Sequence, residues 1–547
     1  MVKIDHVIVL VLENRSFDHL LGYLDHSQAE RFDGLRRGGP YTNPGWANGP
    51  AVPASSTGKR VLPVDPDHSH DAVMEQLGLA SGASGEPTNS GFVTSYERKG
   101  RGLAPATFGG LLGRLVAGLT APRGSGKPGI TARGPLAMRC QPPEHVPVLS
   151  TLAREFAVCQ RWFCSVPGET WPNRNFLHAA TSDGETNIDI RFYQDKTIFE
   201  QLEDHHQSWH IYHDDTPQVW AFNKLWDTPA RHANWYPLAR FFEHVADGAL
   251  PSYAFLEPNH RPPLHTPDHD PRLGGTPDLS NSQHPGNNVV PNEQYDGYNE
   301  GTDTDFQRAE ALIATVYEAL RDRPELFDRC LLLVTYDEHG GLYDHVPPPR
   351  TVAPGDPQAL PTRLLHRLLH RNTTPFDFTR LGPRVPAVVV SPYIASGTID
   401  TTVRDHACVS ATLRALFAPD AGPLTRRDRA AEPFHTVLNL AAPRRGDLPN
   451  LSAHTRPADQ VGVLTGTTAP LTATSPAEDP RAAAPEPAFY RDFVRLAKQV
   501  QTHLEQVGEP EVAAVTAQKP PFAQAAEISE QFAMAAHRHR HPDQAAH

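Results

Sequence analysis

The stretch IDHVIVLVL at residues 4–12 decides the fold, and Glu13-Asn14-Arg15 follows it directly. Most of its side chains are apolar and many are β-branched, which is typical of a strand buried on both faces of a parallel sheet. In open α/β sheets the ligand site lies outside the carboxyl ends of the strands. Glu13 and Asn14 are therefore candidate ligands for a divalent cation, which prefers hard oxygen donors. The alternative is a loop turn with a helix cap at Ser16.

A second strand of the same kind occurs late in the chain. Residues 304–321 have the spacing of apolar side chains that predicts a helix, and CLLLVTY at residues 330–336 predicts a buried strand that ends at Asp337-Glu338. Further strands are predicted at Trp209–Tyr212, Tyr253–Leu256 and Val385–Val390. Strands that alternate with helices in this way indicate an α/β fold with a doubly wound, mostly parallel sheet.

The composition is typical of a globular protein with long irregular connections. Of 547 residues, 39% are hydrophobic and 21% are charged, so the chain can bury a large core. Its 54 prolines and 39 glycines predict insertions between the regular elements. The formal net charge of -13 removes the general attraction on which nucleic-acid binders rely, so we expect no nucleic-acid partner.

The cysteines and the apolar runs bear on the location of the protein. Five cysteines without any CxxC spacing suggest neither a disulfide framework nor a zinc knuckle. No apolar run approaches the roughly 18–20 residues of a membrane span, so we expect no transmembrane segment. Residues 1–12 lack the pattern of a signal peptide. We therefore expect a cytoplasmic protein, with a secreted form whose leader has been removed as the alternative.

The chain divides by composition into a catalytic part and a C-terminal part. The prediction is a catalytic domain at 1–435 and a region at 436–547 that contains an Ala/Pro-rich strap, one helix and a disordered tail. The helix is predicted over residues 487–506, because its apolar residues fall on one face. Gly/Pro-rich stretches at 26–60 and 98–135 are predicted loops or lids over the edge of the sheet.

Two stretches are candidates for contact with lipid. FGGLLGRLVAGL at residues 108–119 is largely apolar and is followed by Arg123 and Lys127, a combination able to touch an anionic membrane surface. The aromatic side chains of residues 220–242 predict either a lipid-facing wall or ordinary helix packing. A transient contact with a membrane surface is therefore an expectation.

The segment PGETWPNR at residues 167–174 has the features of a nucleophile at a helix start. Thr170 stands where a turn enters a helix that begins near Pro172, and the amino terminus of a helix offers free N–H groups and a positive dipole end to an anion. A hydroxyl there is placed to attack phosphorus, while Arg174 can bind phosphate oxygens or brace a carboxylate. The alternative is a threonine helix cap with a structural arginine.

The segment TYDEHGGLYDHV at residues 335–346 carries two adjacent carboxylates at a strand end. Such carboxylates repel each other unless a cation compensates them, so Asp337 and Glu338 are candidate metal ligands. Gly340 and Gly341 allow the backbone to come close to a ligand. The alternative is a structural ion pair.

Three histidines are candidates because of the segments around them. They are His68 in DPDHSHD, His284 in NSQHP and His406 in RDHAC. An imidazole beside a phosphate can neutralise developing charge or protonate a leaving oxygen. The chain contains 29 histidines, so the alternative for each of the three is a structural role.

Together these segments resemble the phosphoesterase family of non-specific phospholipases C and related acid phosphatases, within the alkaline phosphatase-like superfamily. The resemblance runs over residues 3–435. The blocks that carry it are ENRSFDHLLGYL (13–24), DPDHSHDAVMEQ (65–76), FAVCQRWFCSVPGETWPNR (156–174), YDEHGGLYDHVPPP (336–349) and LGPRVPAVVVSPYIASGT (381–398). The resemblance implies an α/β fold, namely a three-layer αβα sandwich with a mostly parallel central sheet and long loop insertions.

The resemblance also implies roles for individual residues. Thr170 is implied as the nucleophile, and a divalent metal ion in contact with it is implied to bind Glu13, Asn14, Asp337 and Glu338. Catalytic roles at the phosphate or the leaving group are implied for His68 and His284. The candidate substrate-binding residues are Arg174, Asn173, His345 and His406, of which the two histidines match later blocks of the family.

Two positions depart from the family's pattern. Glu169 precedes the nucleophile where the family has a small residue or proline, and a carboxylate there would repel a phosphate unless it points away. Ser282 in NSQHP stands where the family usually has aspartate, so a ligand role at that position is in doubt.

The function implied by the resemblance is metal-dependent phosphoester hydrolysis. The leading hypothesis is a phospholipase C-type hydrolase of glycerophospholipids that acts through a phosphothreonine intermediate, and the first alternative is an acid phosphatase acting on phosphomonoesters. A sulfatase is a further alternative, because TWPNR at 170–174 is similar to the signature of that sister family, although threonine cannot become the formylglycine that sulfatases require. The last is a relative that binds metal or lipid without turnover. The expected partner is a phospholipid or other phosphoester, and the sequence leaves the identity of the metal open.

Overall fold

The fold is built around an eight-stranded sheet. The computed structural model describes residues 2–79, 85–103, 133–260, 280–288, 305–355, 376–455, 491–506 and 521–541. The strands are β1 (His6–Leu12), β2 (Thr42–Asn43), β3 (Val52–Pro53), β4 (Ala157–Cys159), β5 (Trp209–His213), β6 (Trp235–Pro237), β7 (Tyr253–Glu257), β8 (Cys330–Tyr336), β9 (Ala387–Val390) and β10 (Ile399–Asp400). β2 and β3 form a separate antiparallel pair.

Most neighbouring strands of the large sheet are parallel. Their order is β10-β4-β9-β8-β1-β7-β5-β6. All pairs from β8 to β6 are parallel, while β9 is antiparallel to both β8 and β4. β1 is paired on both sides, with Ile8 opposite Leu332 and Ala254, and every residue of the strand is buried. The α/β fold with a mostly parallel sheet is therefore confirmed.

The described helices pack against the sheet and against one another in groups. They are α1 (Phe17–Leu21), α2 (His70–Gln76), α3 (Phe92–Gly100), α4 (Pro147–Glu155), α5 (Thr170–Ala179), α6 (Ile198–Asp204), α7 (Pro229–His232), α8 (Ala239–Asp247), α9 (Asp305–Arg321), α10 (Pro324–Phe327), α11 (Ala407–Phe417), α12 (Arg426–Ala430), α13 (Arg491–Gln506) and α14 (Pro521–Arg540). One group contains α4, α8 and α9, and another contains α5, α6 and α11. The predicted cap at Ser16 is present, because its hydroxyl accepts a hydrogen bond from the N–H of His19 at 3.1 Å. None of the described helices is both long and apolar enough to cross a membrane.

The end of the described chain is a packed helix, which corrects the prediction of a disordered tail for residues 521–540. The Phe532 ring of α14 lies 4.7 Å from the Trp220 ring and 4.1 Å from the His232 ring. Ala525, Ile528 and Phe532 recur at helical spacing and are buried in the main core. The apolar face of α14 is narrow and includes alanine. The low overall apolar content of the tail therefore led to a prediction of disorder instead of a helix. The proposed domain division at residue 435 stays a prediction.

The aromatic stretch between residues 220 and 242 belongs to the core. Trp226, Trp235, Phe241 and Phe242 are buried in the main hydrophobic cluster. The hypothesis of a lipid-facing wall is therefore wrong, and the alternative of ordinary packing is correct for these side chains.

Several predicted loops lie partly or wholly outside the described residues. Residues 26–60 are irregular apart from the short pair β2–β3 and a single helical turn. The apolar run at 108–119 lies outside the described residues, as does the part of the predicted strap at 456–483. Their predicted roles stay predictions.

Substituting Phe532 by alanine should destabilise the protein by about 3–5 kcal/mol, because the change removes a buried ring and leaves a cavity. Denaturant unfolding of the whole chain measures this difference. Met534→Ala on the same helix is the control, since Met534 is 48% exposed and its truncation should change the free energy of unfolding by less than about 0.5 kcal/mol. Equal effects of the two substitutions would contradict the packed position of α14.

Candidate active site

Three acidic side chains lie at the carboxyl ends of three neighbouring strands. β8, β1 and β7 are adjacent in the sheet. Asp337 and Glu13 follow β8 and β1 directly, and Glu257 is the last residue of β7. All three are buried. Because parallel strands end at the same edge of a sheet, the three carboxylates meet there.

Arg174 in α5 joins these three carboxylates. Its Nε lies 2.9 Å from Asp337 Oδ2, its Nη1 3.0 Å from Glu257 Oε1, and its Nη2 3.9 Å from Glu13 Oε1. Burial would lower the pKa of Arg174, but the carboxylates outweigh burial and raise it. Of the two roles predicted for this residue, the structure gives it that of a brace between carboxylates.

Thr170 is the first residue of α5. Its side chain is only 4% exposed, and its hydroxyl donates a hydrogen bond to Asn14 Oδ1 at 3.2 Å. Glu169 occupies the cap position and makes no capping bond through its side chain. The alternative of a threonine cap is therefore wrong. The hydroxyl lies where the free N–H groups of a helix start can bind an anion.

The backbone of Asn14 is held in a left-handed conformation beside Thr170. Its φ is 58°, and its N–H donates to Asp337 Oδ1 at 3.0 Å. A Cβ at Gly340 would lie 1.9 Å from the carbonyl oxygen of Asn14, and one at Gly341 would lie 2.7 Å from that of Asp67. The two glycines therefore allow close contact between chain segments, and their predicted approach to a ligand stays a prediction.

Oxygen atoms of the kind that bind a divalent cation lie at the ends of β1 and β8, and one of them, Asn14 Oδ1, contacts Thr170. Glu13 Oε1 and Glu338 Oε1 are buried and accept no hydrogen bond from any residue in the described ranges. Asn14 Oδ1 and the carboxylate of Asp337 lie in the same group. Hard cations such as Mg²⁺, Ca²⁺ and Mn²⁺ prefer a set of oxygen donors of this kind. The donor types thus fit a divalent cation, although these carboxylates are not among the groups of described residues whose ligand atoms all lie within 4.8 Å of one another.

Electrostatic repulsion within this group favours a cation. Burial raises the pKa of Asp337 to about 7, and the nearby Glu13 and Glu338 add to the rise. Burial acts in the same direction on Glu338, but His68 and His339 outweigh it and lower the pKa of that carboxyl. A bound cation would relieve the repulsion between the remaining negative charges.

His68 and His284 lie next to each other and differ in charge. Their ring centroids are 5.8 Å apart. Burial would lower the pKa of His68, but Glu338, Asp65 and Glu169 raise it to about 9. Burial lowers the pKa of His284. His68 is therefore a cation at neutral pH, and His284 is neutral.

The hydrogen bonds of the two rings favour N–H donation over metal binding. Asp65, His68 and His284 have possible ligand atoms within 4.8 Å of one another. However, His284 Nδ1 accepts a hydrogen bond from the N–H of Gly286 at 2.9 Å, which places the proton on Nε2. His68 Nδ1 donates to the carbonyl of Pro66 at 2.9 Å, and its positive charge keeps Nε2 protonated as well. The protonated His68 can therefore act as a proton donor, and the N–H of the neutral His284 can act as a hydrogen-bond donor.

The two positions that depart from the family's pattern are held by the backbone. Glu169 Oε2 accepts a hydrogen bond from the N–H of Ile188, and burial raises the pKa of this carboxyl to about 7. Its negative charge near a phosphate is thereby weakened. The backbone N–H of Ser282 donates a hydrogen bond to Asp305 Oδ1 at 3.0 Å, and its carbonyl oxygen accepts one from the N–H of Glu13 at 2.8 Å. Ser282 thus supports Glu13 through its backbone.

Asn173 supports the turn before Thr170. Its Nδ2 donates to the carbonyl groups of Val166, Gly168 and Glu169 at 3.1, 3.2 and 3.1 Å. Its Oδ1 accepts from the N–H of Val166 at 3.1 Å. The predicted substrate contact is corrected, because both ends of the amide are bonded to the backbone.

His406 supports Asp337 from inside the protein. Its Nε2 donates to the carbonyl oxygen of Asp337 at 2.6 Å, and its Nδ1 accepts from Trp162 Nε1 at 3.3 Å. Burial lowers the pKa of His406 to about 4, so the ring is neutral. The structure gives His406 a supporting position in place of the predicted substrate contact.

His345 belongs to a second cluster of charged residues. Its Nδ1 lies 2.6 Å from Asp18 Oδ2, and its Nε2 lies 3.2 Å from Asp33 Oδ1. Arg384 joins Asp18 and Asp344 at 3.0 and 2.9 Å. Asp18, Asp344 and His345 could surround a cation by distance alone, but Arg384 and His345 already supply positive charge. This cluster is a structural ion network, and the predicted substrate contact of His345 is corrected.

The sequence did not single out Glu257 and His260. Glu257 binds Arg174, and the ring of His260 lies between two carboxylates, with Nδ1 2.9 Å from Glu13 Oε2 and Nε2 3.1 Å from Glu257 Oε1. Burial would lower the pKa of His260, but Glu13 and Glu257 raise it to about 10. The rule that polar residues after a buried strand mark the site would have found Glu257 after the predicted strand Tyr253–Leu256.

Comparison with known proteins identifies the family. The model of the Phosphoesterase family matches residues 4–418. Non-specific phospholipase C3 of Arabidopsis thaliana is 32% identical over 458 residues, which cover 80% of this chain and 74% of that protein. Phospholipase C A of Mycobacterium tuberculosis is 25% identical over 487 residues, which cover 83% of this chain and 80% of that protein. A crystal structure from Vibrio parahaemolyticus, described as an alkaline phosphatase superfamily protein, aligns over 52% of this chain and 61% of that chain, with 11% identity and a TM-score of 0.29. The family match and the first of these relatives show that this chain belongs to the Phosphoesterase family and is a phosphoric ester hydrolase.

Proposed function

We propose that this chain is a metal-dependent phosphodiesterase of the phospholipase C type, which cleaves glycerophospholipids through a phosphothreonine formed on Thr170. The observation that carries the proposal is the hydrogen bond from Thr170 to Asn14 at the start of α5, beside buried carboxylates. The N–H groups of a helix start bind phosphate oxygens, so the hydroxyl faces the place where a phosphoryl group would lie. The names of the relatives, non-specific phospholipase C3 and phospholipase C A, support the substrate class.

In the first step, Thr170 Oγ1 attacks phosphorus in line with the leaving alcohol, and its proton is lost to water. A bond forms between Oγ1 and phosphorus, and the bond from phosphorus to the alcohol oxygen breaks. The protonated His68 can give its proton to that oxygen, while the N–H of the neutral His284 can donate a hydrogen bond to it. The protonated His68 also places a positive charge beside the phosphoryl group.

In the second step, water attacks the phosphothreonine. The histidine that gave up its proton now takes one from the attacking water. Phosphorus binds the new oxygen, the bond to Oγ1 breaks, and Thr170 recovers a proton from solvent. A phosphorylated headgroup is released, and the enzyme returns to its starting state.

The metal site supports both steps. A divalent cation held by Glu13, Asn14, Thr170, Asp337 and Glu338 would supply Lewis-acid stabilisation of the negative charge that develops on oxygen. Arg174 keeps the carboxylates of Asp337 and Glu13 in position through its contacts with both.

The substrate class has a second candidate. A glycerophospholipid would yield diacylglycerol and a phosphorylated headgroup, whereas a phosphomonoester would yield inorganic phosphate through the same attack by Thr170. Acid phosphatase activity is therefore the second proposal. Membrane contact through residues 108–119 and a cytoplasmic location remain predictions from the sequence.

Substrate choice can be measured directly with the purified protein. Vesicles of phosphatidylcholine or phosphatidylethanolamine, a soluble chromogenic diester and a chromogenic monoester are each incubated with the enzyme and a divalent cation. We expect diacylglycerol and a phosphorylated headgroup from at least one lipid, at a higher kcat/KM than for the monoester. A higher kcat/KM for the monoester would support the acid phosphatase, and no turnover of any phosphoester would refute the proposed function.

Thr170→Ala should lower kcat by orders of magnitude while the fold is retained, because it removes the nucleophile. Thr170→Ser should keep measurable activity, since it keeps a hydroxyl. The matched control is Thr181→Ala, a buried threonine that follows the other end of α5 and should leave kcat near that of the wild type. A Thr170→Ala variant within about tenfold of the wild-type kcat would contradict the mechanism.

Asp337→Asn combined with Glu338→Gln should lose the bound metal, because two anionic ligands become neutral amides. Elemental analysis after dialysis against Mn²⁺ measures the metal content. Asp344→Asn, in the second cluster of charged residues, should keep the metal. Full metal content in the double variant, together with loss in Asp344→Asn, would place the cation in the second cluster.

A further inference from the structure

His260 connects two strand ends through one ring. Its Nε2 is hydrogen-bonded to Glu257 Oε1 at 3.1 Å, and its Nδ1 lies 2.9 Å from Glu13 Oε2 as an ion pair. Both carboxylates are buried. Glu257 also accepts a hydrogen bond from the backbone N–H of Gln218 at 2.8 Å. Glu257 is therefore fixed on several sides, and His260 transmits that fixed position to the side chain of Glu13.

The C-terminal helix α13 covers this ring. The ring of Phe493 stacks on that of His260, with centroids 4.9 Å apart and an angle of 14° between the planes. Phe493 also lies edge-on to Trp171, at 6.1 Å, and Trp171 directly follows the nucleophile Thr170. One aromatic side chain from the end of the chain thus contacts neighbours of both the nucleophile and a candidate metal ligand.

We propose that His260 and Phe493 form a positioning pair that fixes Glu13 for metal binding. Phe493 holds the plane of the imidazole, and the imidazole holds one oxygen of Glu13, so that the other oxygen stays directed toward the metal. The inference rests on the proposed metal site. Neither residue belongs to the set of proposed metal ligands or is one of the histidines, His68 and His284, with a proposed role at the leaving oxygen.

Loss of a residue that positions a metal ligand has a characteristic effect on metal affinity and activity. Removing a residue that orients a metal ligand typically lowers metal affinity or activity by about 10–100-fold, because the ligand loses its preferred orientation. The protein around Glu13 would remain folded, since β1 is held on both sides by backbone pairing. Loss of Phe493 should therefore appear in metal affinity and kcat, with little change in KM for a small soluble diester.

The chain contains a matched control for this pair. His232 and Phe532 make a similar contact, with ring centroids 4.1 Å apart, between the body of the protein and the other C-terminal helix, α14. Phe532 packs against the core aromatic rings of Trp220 and Trp235. Phe532→Ala should therefore lower stability without changing metal affinity.

The experiment compares the full-length wild type with Phe493→Ala, Phe493→Trp, His260→Gln and Phe532→Ala. Calorimetric titration with Mn²⁺ alone gives the dissociation constant, and a soluble chromogenic diester gives kcat and KM. We expect Phe493→Ala and His260→Gln to raise the Mn²⁺ dissociation constant at least about tenfold and to lower kcat. We expect Phe493→Trp, which keeps a stacking ring, to restore most of both, and Phe532→Ala to stay within about twofold of the wild type.

Two results would overturn the positioning pair. One is a Phe493→Ala variant whose Mn²⁺ dissociation constant and kcat lie within twofold of the wild type. The other is a Phe532→Ala variant that changes both quantities as much as Phe493→Ala does, since general destabilisation would then explain the losses. If Phe493→Ala does not fold, the Mn²⁺ dissociation constants and kcat values of His260→Gln and Phe532→Ala are compared instead. Equal changes in these two variants would overturn the pair.

The failure of the proposed function gives a different result. A wild type that binds Mn²⁺ but hydrolyses no phosphoester refutes the function, and the Mn²⁺ titrations still test the pair. A wild type that binds no Mn²⁺ overturns the pair together with the metal site on which it rests.

Discussion

One buried arginine holds together the end of the sheet where the candidate active site lies. Arg174 contacts the carboxylates of Asp337, Glu257 and Glu13, which end three neighbouring strands. Burying several charges is costly, and removing one partner of such a group leaves an uncompensated charge in a medium of low dielectric constant. The position of α5 is therefore coupled to the positions of the strand ends. Thr170, at the start of that helix, takes its place from the same contacts.

The strands and two of the acidic residues at their ends could be predicted because the signals are local. The sequence predicts Cys330–Tyr336 as a strand with the bounds that the structure has, and Asp337 follows it directly. A helix start near Pro172 could also be predicted, because proline favours the first turn of a helix, and the structure begins this helix two residues earlier, at Thr170. The convergence of these residues follows from one general rule, since parallel strands place their carboxyl ends at the same edge of a sheet.

The parts that could not be predicted depend on contacts between distant segments. His406 and His345 occur in motif blocks, yet the ring of one supports the backbone of Asp337 and the other pairs with Asp18 in a separate network. Residue type is the same in both cases, and only the three-dimensional neighbours distinguish a supporting histidine from a catalytic one. The packing of α14 could not be predicted for the same reason. Its buried face contains small residues such as Ala525, and such a face is recognised as buried only when the surface it packs against is known.

Asn14 shows why these long-range contacts matter for the chemistry. Asparagine tolerates a positive φ better than most residues, and here φ is 58°. Its backbone N–H is held by Asp337, and Gly340 lets the chain after β8 lie against its carbonyl. Its side chain is thereby directed at the Thr170 hydroxyl. An aspartate could adopt the same backbone but would add another carboxylate beside Asp337, whose pKa burial already raises to about 7. Asparagine therefore fits this position in two ways. It accepts the positive φ, and it supplies an oxygen donor without a further negative charge.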